Sequence, residues 1–178
     1  GDYDNDGDLD ILLAGNVGGT NRVMRVYRND NGSFTDIEAG LQGFGSGYVT
    51  WGDYDNDGDL DILACGQEYI SQSVSLTLLY SNNSGSFSSV SHSLENVNSG
   101  TIEWGDYDSD GDLDILITGD INNSGTGVTK VYRNDSGSFT SAATLKSLRY
   151  SMAKWGDYDN DGDLDILFAG YGSNSGSD

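Results

Sequence analysis

The chain has 178 residues, with 29 acidic against 8 basic side chains, a formal net charge of -21 and no proline. This balance offers phosphates no basic patch, which argues against a nucleic-acid partner, and no run approaches the roughly 18 apolar residues of a membrane helix. The 3 Trp, 11 Tyr and 5 Phe favour a folded chain over a disordered one. The single cysteine, Cys65, rules out a disulfide within the chain.

The acidity is concentrated in one string, "GDYDNDGDLDILLAG", which occurs four times with small changes. Its copies begin at Gly1, Gly52, Gly105 and Gly156, so the spacings are 51, 53 and 51 residues. These copies hold 20 of the 29 acidic residues, and the rest of the chain is close to neutral. A constant period of this length indicates a repeat architecture such as a propeller or an array.

Between the strings the chain shows strand patterns and no helical period. Asn31-Gly32 in "RNDNGSF" is a strong signal for a hairpin turn in the first unit. A continuous apolar run follows each aspartate string, which is typical of a strand buried on both faces. The second unit predicts four strands, "YVTWGDY" (48–54), "DILACG" (61–66), "SLTLLYS" (75–81) and "SFSSV" (86–90).

Four short antiparallel strands in a unit of about 52 residues are typical of a β-propeller blade. We therefore predict an all-β fold in a single repeat domain, 1–178, as a partial propeller or an open repeat array with 3, 4, 4 and 2 strands in successive units. The chain begins inside a repeat without an initiator Met, which we interpret as a processed product or a portion of a longer protein. The predicted blades are 1–47 (incomplete), 48–100, 101–151 and 152–178 (incomplete).

The aspartate string reads D-x-D-x-D-G-D-L-D, with aspartates at positions 1, 3, 5, 7 and 9. Carboxylates this close repel one another unless a cation neutralises them. Hard oxygen ligands on a tight loop suit Ca²⁺ better than Mg²⁺, and the glycine at position 6 allows the loop to turn sharply. An EF-hand is excluded because position 12, where it needs a glutamate, is apolar in all four copies.

We predict about four Ca²⁺ ions, one for each string. Side chains at positions 1, 3, 5 and 9 are the expected ligands, with a backbone carbonyl at position 7, whose side chain points outward or supports the ligands. The candidate metal residues are Asp2, Asp4, Asp6, Asp8, Asp10, Asp53, Asp55, Asp57, Asp59, Asp61, Asp106, Asp108, Asp110, Asp112, Asp114, Asp157, Asp159, Asp161, Asp163 and Asp165.

The segment "WGDYDNDGDLDIL", which occurs at 51–63 and 155–167, resembles the FG-GAP/VCBS repeats of bacterial surface and secreted proteins. Those repeats are similar to the calcium-binding blades of integrin α-subunit propellers. The resemblance covers essentially the whole chain and implies a Ca²⁺ loop between the first two strands of each blade. Trp-Gly replaces Phe-Gly before the loop, and the proline-free chain has no Gly-Ala-Pro, so no integrin-like partner is implied.

These features predict a secreted or cell-surface protein that serves adhesion, recognition or self-assembly into a larger propeller or filament. Its partners would be other copies or further repeats, or an extracellular glycan or protein. A lectin-like propeller is the alternative, since aromatic and amide side chains suit carbohydrate. A polysaccharide-active enzyme fragment is a weaker one, because Glu38, Glu68, Glu95 and Glu103 form no distinctive pair. We expect no catalysis: neither His92, the single histidine, nor Cys65 belongs to a nucleophile motif.

Two sets of residues have a purely structural interpretation as well as a functional one. Trp51, Trp104 and Trp155 recur with the blade and are expected to pack between blades rather than to bind a ligand. Four N-x-S sequons leave glycosylation open, although asparagine and serine are also common turn residues. The sequons are at Asn31, Asn82, Asn122 and Asn134.

Overall fold

The described residues form thirteen strands in four antiparallel sheets, one for each repeat. A computed structural model describes residues 1–69 and 73–172, and within them no helix occurs. Residues 70–72 of the second predicted blade and 173–178 of the fourth lie outside that part. The strands are β1 (Ile11–Gly18), β2 (Asn21–Asp30), β3 (Ser33–Asp36), β4 (Gly45–Gly52), β5 (Asp61–Tyr69), β6 (Ser73–Asn83), β7 (Ser86–Ser89), β8 (Asn98–Gly105), β9 (Asp114–Ile121), β10 (Thr126–Asp135), β11 (Ser138–Thr144), β12 (Leu148–Gly156) and β13 (Asp165–Gly172).

Each sheet is an open meander in which consecutive strands are neighbours. The orders are β1-β2-β3, β4-β5-β6-β7, β8-β9-β10-β11 and β12-β13. Two complete four-stranded blades are therefore flanked by a three-stranded and a two-stranded unit. This arrangement confirms the all-β repeat fold and the predicted strand counts of 3, 4, 4 and 2.

The second strands of the two complete blades form the centre of the core. In β5 the run from Ile62 to Cys65 is fully buried, and so is the run from Ile115 to Ile117 in β9. Both faces of these strands are covered because neighbouring sheets pack on either side, as the continuous apolar runs predicted.

A two-residue turn joins the last two strands of each of the first three units. Asn31 and Gly32 have φ values of 53° and 90°, and Asp30 pairs with Ser33 across the turn. Both turn residues of such a hairpin need the left-handed region, which glycine and asparagine tolerate best. The structure thus confirms the hairpin predicted from Asn-Gly, and Ser84-Gly85 and Ser136-Gly137 form the equivalent turns.

Neighbouring sheets are joined by stacked aromatic rings. The ring of Tyr54 lies 6.3 Å from that of Trp104 at an angle of 8°, and Phe139 packs against both. Tyr3 and Trp51 repeat this contact with Phe87, and Tyr107 stacks on Trp155. The three tryptophans therefore pack between blades, where stacked rings bury a large apolar area.

In the first and fourth units, apolar residues that are buried between sheets elsewhere are exposed to solvent. Tyr158 occupies the same place in its string as Tyr3 but is 81% exposed, whereas Tyr3 is 3% exposed. Leu167 on the same unit is 77% exposed. At the opposite end of the row, Ile11 and Leu13 of β1 are partly exposed, although their counterparts in β5 and β9 are fully buried.

Candidate metal centres

Each aspartate string forms a loop that leads into the strand carrying the apolar run of its unit. The loops 53–60, 106–113 and 157–164 connect the first strand to the second, and residues 2–10 lead directly into β1. Two positions in every loop have positive φ, which lets the chain fold tightly around the carboxylates. At position 4, Asn5, Asn56, Ser109 and Asn160 have φ of 58° or 59°; at position 6, Gly7, Gly58, Gly111 and Gly162 have φ from 92° to 99°.

Three carboxylates converge in every loop. In each group, one oxygen from each of three aspartates lies within 4.8 Å of the others. Positions 1 and 3 belong to all four groups, position 5 completes two of them, position 9 completes the other two, and position 7 belongs to none. The groups are Asp2, Asp4 and Asp6; Asp53, Asp55 and Asp57; Asp106, Asp108 and Asp114; and Asp157, Asp159 and Asp165.

The carboxylate at position 1 holds the loop closed through backbone amides. Asp53 accepts hydrogen bonds from the N–H groups of Asp57 at 3.1 Å and Gly58 at 3.0 Å, one on each oxygen. The other three loops make the same pair of bonds. The chain's own amides therefore hold this carboxylate in place beside the one at position 3, its neighbour in all four groups.

The carboxylate at position 9 connects the loop to the rest of its blade. Asp61 is fully buried and accepts hydrogen bonds from the N–H of Tyr54 at 3.0 Å and of Asn82 at 2.8 Å. Asp10 and Asp114 make equivalent pairs of bonds. Asp165 accepts the first of these bonds, from Tyr158, and is less buried than Asp61.

Burial disfavours the ionised form of several of these carboxylates. It raises the pKa of Asp61 to about 7, although the N–H donors of Asn82 and Tyr54 act to lower it. Burial likewise raises the pKa of Asp114. The pKa values of Asp4 and Asp55 are raised first by burial and then by the neighbouring Asp6 and Asp57. A cation among these groups would favour their charged forms.

The residues fit a hard divalent cation. All the converging donors are carboxylate oxygens, the ligand type that Ca²⁺ and Mg²⁺ prefer. The Oδ1 atom of Asp4 is buried and has no hydrogen-bond partner. A buried oxygen without a partner carries a desolvation cost that coordination to a metal would remove.

The side chain at position 7 is directed toward the hairpin of its own blade. Asp59 Oδ2 accepts a hydrogen bond from the N–H of Ser84 at 2.7 Å, and Asp112 Oδ2 accepts one from Ser136 at 2.8 Å. Asp8 makes the same bond with the N–H of Asn31. This geometry suits a supporting role for the side chain, and the ligand role of the position 7 carbonyl stays a prediction.

Sequence reasoning missed the asparagine that joins these parts. The backbone N–H of Asn82 donates to Asp61, and its side chain donates to the carbonyls of Tyr3 and Leu60 and accepts from the N–H of Gly85. Asn134 repeats all four bonds one blade later. The signal was the recurring asparagine two residues after the repeated tyrosine in "VYRND" and "LYSNN".

The structure separates the four sequons into two kinds. Asn82 and Asn134 have 0% exposure, and their side-chain amides are engaged, so the folded protein offers no access for a glycan there. Asn31 and Asn122 lie in exposed turns with positive φ. Glycosylation of these two stays open.

The other candidate reactive groups have structural contacts of their own. Cys65 is fully buried, and burial raises its pKa to about 12, which keeps the thiol protonated. His92 shares a hydrogen bond with the carbonyl of Thr77 at 3.0 Å, and burial lowers its pKa. Among the glutamates outside the loops, Glu95 forms an ion pair with Lys130, and Glu103 forms one with Lys154.

Comparison with known proteins supports the repeat assignment. The model of the FG-GAP-like repeat matches residues 2–64 and 106–168. No curated protein matches the chain. Among solved structures, the chain is similar to an Agrocybe aegerita lectin described as recognising non-reducing terminal N-acetylglucosamine, with a TM-score of 0.42 and 17% identity over 89% of this chain.

The chain spans 46% of that lectin's length. In the described residues no helix is both long and apolar enough to cross a membrane. The two family matches cover most of the chain, and each contains two aspartate loops and the strands between them. The protein belongs to the FG-GAP-like repeat family.

Proposed function

We propose that this protein is a calcium-binding repeat protein in which each loop holds one Ca²⁺ as part of the fold. The observation that carries the proposal is the convergence of three carboxylates within 4.8 Å in all four loops. Positions 1, 3, 5 and 9 would supply side-chain oxygens, and position 7 a backbone carbonyl. The bound ion would neutralise the carboxylates and connect the first two strands of each blade.

The proposed role is recognition or assembly outside the cell rather than catalysis. Extracellular calcium modules have Kd values of roughly 0.1–1 mM, far above cytosolic calcium concentrations. Sites of that affinity fill only outside the cell. Four bound ions would change the formal charge from -21 to about -13, which weakens the repulsion among the loops.

Equilibrium dialysis against buffered calcium tests the proposal directly. We expect saturation at about four Ca²⁺ per chain, because four loops carry the same donor set, and much weaker binding of Mg²⁺, which requires a rigid octahedron. The variant Asp2→Ala/Asp4→Ala is expected to bind one ion fewer. Absence of calcium binding at several millimolar free calcium would contradict the proposal.

Of recognition and assembly, a specific observation favours self-assembly. Tyr158 and Leu167 on the outer unit are 81% and 77% exposed, while the equivalent tyrosines at the inner junctions are largely covered. Apolar surface that is covered at equivalent positions but exposed here is a candidate interaction surface. An open repeat that joins head to tail forms a filament if the contacts do not close into a ring.

Sedimentation velocity in calcium measures this association. We expect a sedimentation coefficient that rises with protein concentration, and a lower one for the variant Tyr158→Ser/Leu167→Ser, since removal of exposed apolar area weakens the contact. The control is Val74→Ser, which changes an exposed apolar residue on an inner blade, away from both outer units. A protein that stays monomeric throughout would exclude assembly.

A further inference from the structure

Neighbouring aspartate loops are directly connected at two of the three junctions. The side-chain amide of Asn5 donates to Asp59 Oδ1 at 3.0 Å and to the carbonyl of Gly58 at 3.3 Å. Asn56 donates in the same way to Asp112 Oδ1 at 2.7 Å and to the carbonyl of Gly111 at 3.4 Å. Position 4 of one loop therefore contacts positions 6 and 7 of the next.

The donor is placed by the backbone between two proposed ligands. Asn5 lies between Asp4 and Asp6 and has φ of 59°, and Asn56 has the same φ between Asp55 and Asp57. Asparagine adopts this left-handed conformation more readily than most residues. When positions 3 and 5 turn toward an ion, the backbone conformation that brings them there also directs the amide of position 4 toward the next loop.

The acceptor is close to a proposed ligand of the next ion. Asp59 uses its other oxygen to accept the N–H of Ser84, so its carboxylate is held from two sides. The Asn5 amide also holds the Gly58 carbonyl, on the peptide immediately before the position 7 residue. The orientation of that segment decides where the position 7 carbonyl points, and fixing it in advance lowers the entropy cost of binding the next ion.

The third junction lacks this connection. Position 4 of the third loop is Ser109, whose φ of 58° matches that of the asparagines. Its shorter side chain has no amide, and it makes no hydrogen bond to the loop 157–165 within the part of the chain that the structure describes. In the described residues, two junctions thus have a side-chain hydrogen bond between neighbouring loops and the third has none, so the third serves as an internal control.

We infer that Asn5 and Asn56 are positioning residues that couple calcium binding in the first three loops, while the fourth loop binds independently. This inference rests on the proposed calcium function. A hydrogen bond contributes a net free energy that corresponds to about 2- to 10-fold in affinity. Direct repulsion between ions would act at all three junctions alike, so it does not predict a difference between them.

Calorimetric titration of calcium-free protein with CaCl₂ at fixed ionic strength tests the coupling. Asn56→Ser copies the natural residue of the third junction and is expected to flatten the binding curve and raise the half-saturating calcium of the affected loop about 2- to 10-fold. Ser109→Asn is expected to steepen the curve by adding the missing connection. Asn160→Ser is the matched control. It makes the same change at the same φ of 59°, but the Asn160 side chain has no hydrogen bond to another loop in the described residues.

The outcomes separate this inference from the proposed function. Flattening in Asn56→Ser, steepening in Ser109→Asn and an unchanged curve in Asn160→Ser would support the coupling. Four bound ions with indistinguishable curves in all variants would overturn the coupling and leave the calcium function intact. An equal change in Asn56→Ser and Asn160→Ser would also overturn it, since the effect would then be local to each loop. No calcium binding in the unmodified protein would overturn both.

Discussion

Excess EDTA is expected to lower the melting temperature of this protein by roughly 10–25 °C relative to calcium-saturated protein. An ion that binds only the folded state stabilises it by RT ln(1 + [Ca]/Kd), which at ten times Kd is about 1.4 kcal/mol for each site. Four independent sites contribute about 5–6 kcal/mol, comparable to the whole stability of an ordinary domain. For a chain of this length each 1 kcal/mol shifts the melting temperature by about 2–4 °C.

The size of this effect should depend on pH. Burial raises the pKa of Asp61 to about 7, above its value in the unfolded chain. Between about pH 4 and pH 7 the folded calcium-free protein holds a proton that the unfolded chain has lost, so its stability falls as pH rises through this window. We therefore expect EDTA to lower the melting temperature more at pH 8 than at pH 5. A melt that EDTA leaves unchanged at both pH values would contradict the structural role of calcium.

The substitution Asp61→Ala is expected to destabilise the protein by about 2–6 kcal/mol even in excess EDTA. Asp61 is fully buried and accepts the backbone N–H groups of Tyr54 and Asn82. Removal of its carboxylate leaves two donors without partners, and each such buried group costs about 1–3 kcal/mol. Urea unfolding monitored by tryptophan fluorescence measures the difference, and EDTA removes any contribution from metal binding.

The matched control is Asp165→Ala in the fourth loop. Asp165 holds the same position in its string, but among the described residues it accepts one backbone hydrogen bond, from Tyr158, and it is less buried than Asp61. Its loss should therefore cost at most about half as much. Equal destabilisation by the two substitutions would show that the hydrogen bonds of position 9 do not determine its contribution.

The local features of this fold were predictable from the sequence. The apolar run after each aspartate string predicted the buried strands β5 and β9, because a strand covered on both faces needs apolar residues at consecutive positions. Asn31-Gly32 predicted a hairpin, because both residues adopt positive φ at low cost. Each of these sequence patterns spans only a few residues, so it can be recognised within one repeat without knowledge of the other repeats.

The contacts that organise the candidate site were not predictable in the same way. Asn82 binds the carbonyl of Tyr3 across 79 positions in the chain, and Asn5 binds Asp59 across 54. Position 7 was predicted to supply a backbone carbonyl, and the hydrogen bond from the hairpin N–H of Ser84 to the Asp59 side chain was not foreseen. These contacts exist only once one sheet has been placed on the next, and no local pattern specifies that distance or angle.

The sequence alone determined the repeat, the strand count of each unit and the loops in which the aspartates gather. Those properties follow from side-chain alternation, turn conformations and the mutual repulsion of neighbouring carboxylates, which all act over short stretches of chain. Only the tertiary structure decided which asparagines connect adjacent loops, which sequons are buried and which tyrosine of the four aspartate strings is left exposed. Those outcomes depend on the stacking of sheets, because the same residue is buried at an inner junction, as Tyr3 is, and exposed on an outer face, as Tyr158 is.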